Sequence, residues 1–86
     1  METFAQLEIQ GNVTAEQVSN LLSHYAYSGS AISSRTVIAL IDRTNPDEDL
    51  KQIMLTSALF GKANQEKSGN KKGIEAYKLV AEILSK

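Results

Sequence analysis

A mainly α-helical fold, opened by one short β-strand and closed by an antiparallel helical hairpin, is what this 86-residue chain predicts. Three observations lead there. Apolar residues recur at helical spacing over most of the chain after Val13. Capping residues stand in front of those segments, at Thr14, at Ser30 or Ser33, and at Asn45. A glycine-bracketed turn, SGNKKG at residues 68–73, separates the last two of them.

The strand is expected at residues 4–10, FAQLEIQ. Ala5, Leu7 and Ile9 alternate with Gln6, Glu8 and Gln10, as in a strand with one buried face, and Gly11 and Asn12 end it. A helix then begins with a capping box. The Thr14 hydroxyl can accept from the amide three residues on, Gln17 reaches back, and Val13 and Val18 form the hydrophobic staple. This helix is expected to run to about Ala26, burying Val18, Leu21, Leu22 and Tyr25, with Gly29 as a left-handed stop.

The stretch SAISSRTVIALIDRT admits two readings. As a helix capped by Ser30 or Ser33 it gathers Val37, Ile38 and Ile41, with Leu40 beside them. As a strand, residues 36–41 are a short β-branched run that would make the fold α+β. The helix is preferred, because a lone pair of strands is marginal in water. The next helix has the fullest signals: Asn45 as cap, Pro46 at the first helical position, and Asp47, Glu48 and Asp49 at the positive end of the dipole. Its apolar face takes in Leu50, Ile53, Met54, Ser57, Ala58 and Gly61, and Leu55, Leu59 and Phe60 widen it beyond what one neighbouring helix covers. Gly69 stops it. Ile74, Tyr77, Val80, Ala81 and Leu84, with Ile83 at the edge, then make an amphipathic last helix.

Composition narrows the function classes. The length allows a single domain, 1–86, burying only about 60–65% of its unfolded surface. Without cysteine there are no disulfides or thiolate metal sites, and one histidine leaves no conventional zinc site. No cofactor is therefore expected. The start METFAQLEIQ has neither a basic region nor an apolar run, and no segment approaches the ~20 apolar residues of a membrane span, so a cytoplasmic protein is expected. Net charge is −1, but it is unevenly spread. Residues 1–50 carry two arginines against seven acids, and residues 51–86 carry seven lysines against three. Such asymmetry fits a basic surface for an acidic partner, or two halves that attract one another.

No motif names a reaction. A Walker loop fails because Lys62 is followed by Ala63 and Thr56 stands where its first glycine belongs. His24 has Ser23 and Ser28 nearby but no nucleophile setting, and Asp47, Glu48 and Asp49 lack the oxygen spacing and glycine of a calcium loop. The expectation is a non-enzymatic adaptor, inhibitor or regulatory protein that binds another protein and self-associates. Its candidate interface is Leu55, Leu59, Phe60, Tyr25 and Tyr27, with Tyr77 as a further aromatic. Lys67, Lys71 and Lys72 are the candidate contacts for an anion or acidic partner. The alternative is a dimeric DNA-binding regulator. Strand, helix, glycine turn and helix have the layout of a ribbon-helix-helix unit, with Gln6, Glu8 and Gln10 facing the bases. That strand carries no cation, a handicap against phosphates.

Overall fold

The computed structural model describes residues 3–86, and every described element is a helix. In order they are α1 (Phe4–Ile9), α2 (Ala15–Tyr27), α3 (Ser34–Thr44), α4 (Glu48–Ser68) and α5 (Lys71–Leu84). The Cα radius of gyration is 11.6 Å, against about 12 Å for a compact chain of this length, so no element stands apart.

The first segment corrects the expected strand. Residues 4–9 form α1 because Thr3 and Gln6 make a reciprocal capping box: Gln6 N–H donates to Thr3 Oγ1 at 3.2 Å, and Thr3 N–H to Gln6 Oε1 at 2.8 Å. Phe4 and Leu7, three apart, are the buried pair, whereas Ala5 is exposed and Ile9 is 86% exposed. So short a helix is unstable alone. Its C-terminal end is held by Arg43 of α3, whose guanidinium donates to the carbonyls of Leu7, Glu8 and Gln10 at 2.9, 3.0 and 3.1 Å. A cation at that end also meets the negative pole of the helix.

The capping box at Thr14 and Gln17 forms as expected, and α2 ends in a Schellman turn with Gly29 at φ +76° and Ser30 N–H bonded to the Tyr25 carbonyl. Residues 36–41 are helical, not extended. Ser33 caps α3, whose buried residues are Val37, Leu40 and Ile41. Asn45 does not cap α4. It closes α3 in the left-handed region at φ 48°, which asparagine tolerates better than most side chains. Asp47 takes the N-cap of α4 instead, accepting from Leu50 N–H at 2.9 Å, with Pro46 just before it. In the 68–73 turn Gly69, at φ +72°, ends α4 as expected, and α5 is started by Asn70, which caps it through Gly73 N–H.

α4 is the spine. It forms an antiparallel hairpin with α5, and α2 crosses it in the same direction, linked by Ser23–Ser57 hydroxyls at 2.7 Å and by Asn64 Nδ2 to the Ala26 carbonyl at 2.9 Å. Close approach to α5 depends on missing side chains. A Cβ on Gly61 would overlap the Tyr77 ring, and one on Gly73 would overlap the Gln65 side chain. The buried Gln65 amide is held at both atoms: Nε2 donates to the Gly29 carbonyl and Oε1 accepts from Asn70 Nδ2, both at 3.0 Å. It thereby ties the end of α2 to the α4–α5 turn. Helix α3 packs across α5, α2 and α1, closing a core around Leu7, Leu22, Val37, Leu40, Met54, Tyr77 and Val80.

Candidate functional site

Among the described residues, two surfaces offer a candidate site. The first lies on α2 and α4. Ile53, Thr56 and Phe60 follow one another on one face of α4, and Tyr27 from α2 packs against Phe60 with ring centroids 4.5 Å apart and ring planes tilted by 59°. These are large side chains left outside: Tyr27 is 55% exposed, Ile53 51% and Phe60 46%. Leu59, a turn on from Thr56, is equally exposed. Beside the Tyr27 ring is a shallow hollow of about 260 Å³ lined by Ser23, Tyr27, Gln52, Ile53, Thr56 and Ser57, with no charged residue among them.

The expected interface is thus divided. Tyr27, Leu59 and Phe60 stand at the surface, but Tyr25 and Leu55 are half-buried and pack on the core. The Tyr25 ring covers Phe4 at 4.8 Å. Tyr77 is fully buried and is no contact residue: its hydroxyl donates to the Ser30 carbonyl at 2.6 Å. Burial, with a smaller contribution from Tyr25, pushes its phenol up to about 12. Ile53 was expected on the core face. It lies instead at that face's outer margin, because α2 covers α4 at Ser57 rather than at Ile53.

The second surface is a groove between the N-terminal turns of α3 and α5, about 420 Å³ in volume. Lys71 and Lys72 line it together with Arg35, which local sequence did not single out. Glu75 is the one acid in the lining, and Ile32, Ala76 and Leu79 supply apolar surface. Lys67 is exposed in the last turn of α4 and is not part of this lining.

The remaining polar candidates are occupied or isolated. Ser23 is bonded to Ser57, and Ser28 to the Tyr25 carbonyl and Ser30. Exposed His24 has only an edge contact with the Tyr25 ring at 6.4 Å. Asp47 is the α4 cap, and Glu48 pairs with Lys51 at 3.8 Å. Gln6, Glu8 and Gln10 form no outward row. Gln6 serves the α1 cap, and the Glu8 and Gln10 carbonyls receive Arg43, so the ribbon-helix-helix layout has no ribbon among the described residues. Among the described residues, no helix is long and apolar enough to cross a membrane. No family model, curated protein or solved structure matches the chain.

Proposed function

We propose that this chain is a small non-enzymatic regulatory protein, of the adaptor or inhibitor kind, that acts by binding another protein and that self-associates through the α2/α4 face. The observation supporting this is the half-exposed Tyr27–Phe60 ring contact beside a hollow with no charged lining. Aromatic rings bury much area for little conformational entropy and are enriched at the centres of protein interfaces. The residues lining the hollow bring no like charges to its copy, which favours self-association there.

Concentration-dependent light scattering at low and high salt tests the reading. The apparent mass is expected to rise above the 9.4 kDa of one chain with increasing concentration, and to be maintained or raised in high salt, as apolar contacts require. A mass fixed at 9.4 kDa overturns self-association, and association abolished by salt overturns its assignment to this face.

A further inference from the structure

We propose that the groove between α3 and α5 binds an acidic segment of a partner protein. Its carboxylates would lie against Arg35, Lys71 and Lys72, with an aliphatic side chain on the floor of Ile32, Ala76 and Leu79. This rests on the protein-binding role proposed above but not on self-association, since the groove is built by different helices.

Charge complementarity carries the choice of occupant. Three cations from two helices share one lining with a single carboxylate. Among the described residues the one ion pair within 4.0 Å is Lys51–Glu48, so none of the three is in a direct ion pair, and the single Glu75 leaves the lining with an excess of positive charge. Lys71 and Lys72 also stand in the first turn of α5, where the helix dipole opposes a positive charge. A carboxylate arriving there turns that repulsion into attraction.

The apolar floor selects among anions. Leu79 is 43% exposed in the groove, and a bare inorganic ion would leave it and Ile32 uncovered. Single-stranded nucleic acid needs aromatic rings on which bases stack, and the lining has none. A small ligand is ordinarily enclosed over most of its surface, whereas this trough, open to solvent along the two helices, covers one side of its occupant. A peptide alternating acidic and aliphatic side chains satisfies both the rim and the floor.

The test is a titration of the full chain, followed through its backbone amides by NMR, with an acetylated and amidated peptide of glutamate and leucine. Its glutamine–leucine counterpart and inorganic phosphate are run alongside. Saturable shifts at Ser33–Arg35 and at Lys71–Leu79 are expected with the acidic peptide and not with the other two. The Lys71→Gln/Lys72→Gln variant should weaken that binding about tenfold, the size expected for two partly exposed ion pairs, without lowering the melting midpoint. Four results overturn the proposal: no shifts at these amides, equal binding of the glutamine peptide, the same response to phosphate alone, or shifts centred on Tyr27 and Phe60. The last would place partner binding on the α2/α4 face, whereas a strictly monomeric chain would leave the groove result untouched.

Discussion

The Tyr77 ring lies against the bare Cα of Gly61, and its hydroxyl reaches past α4 to the Ser30 carbonyl at 2.6 Å. This one side chain therefore sets the α4–α5 spacing and fixes the loop between α2 and α3. A Gly61→Ala substitution gains up to about 1 kcal/mol of helix propensity. It also places a methyl group within 2.6 Å of Tyr77 Cδ1, and the ring is buried and anchored. Overpacking of this kind costs about 1–3 kcal/mol, so net destabilisation is expected in urea titration.

Tyr77 also imposes an alkaline limit on stability. Its phenol titrates near 10.0 when exposed and is pushed up to about 12 in the fold. The folded state thus holds a proton that the unfolded chain releases first. Stability from this group is complete below pH 10 and falls as pH rises toward 12, by on the order of 3 kcal/mol at most. Tyr77→Phe should remove that part of the alkaline loss. At neutral pH it should cost about 1–2 kcal/mol, because the Ser30 carbonyl loses its donor.

Arg43 is expected to control α1 separately from the rest of the fold. Arg43→Ala leaves the Leu7, Glu8 and Gln10 carbonyls without their shared donor and should cost about 1–3 kcal/mol. Hydrogen exchange checks the location: amides of α1 should lose protection while those of α4 and α5 keep it. Arg43→Lys should restore only part, since an ammonium lacks the fork that reaches three carbonyls at once.

Lys71 and Lys72 should show binding opposed to stability. Replacing either with glutamate removes an unfavourable charge from the first turn of α5 and should stabilise the free chain by about 0.3–1 kcal/mol. Thermal unfolding measures this directly, and an unchanged or lowered midpoint would contradict the dipole argument.

Much of the helical framework was legible because its signals are local. Thr14 and Gln17, Ser33, Gly29, Gly69 and the apolar spacing of α5 each act within a few residues of themselves. The miss at residues 4–9 is instructive, since Thr3 and Gln6 repeat the Thr14 and Gln17 signature. The alternation of Ala5, Leu7 and Ile9 alone reads as a strand, and the partner that holds the helix, Arg43, lies far away in sequence. Asn45 and Asp47 are both capping residue types, and only the tertiary path between α3 and α4 assigns one to each helix. Exposure within the wide apolar sector of α4 was equally hidden, because it depends on where α2 crosses. The groove had no local signal either: Lys71 and Lys72 were visible as charges, but nothing near them announces Arg35.

Self-association through Tyr27 and Phe60 is the claim on which the proposed function turns, and sedimentation equilibrium of the wild-type chain beside Tyr27→Ser/Phe60→Ser tests it most directly. Both side chains are about half exposed and neither belongs to the buried core, so the variant is expected to fold. The prediction is a wild-type mass that climbs with concentration and a variant that stays at the mass of a single chain. A wild-type chain that remains monomeric, or a folded variant that associates as strongly as the wild type, would contradict it.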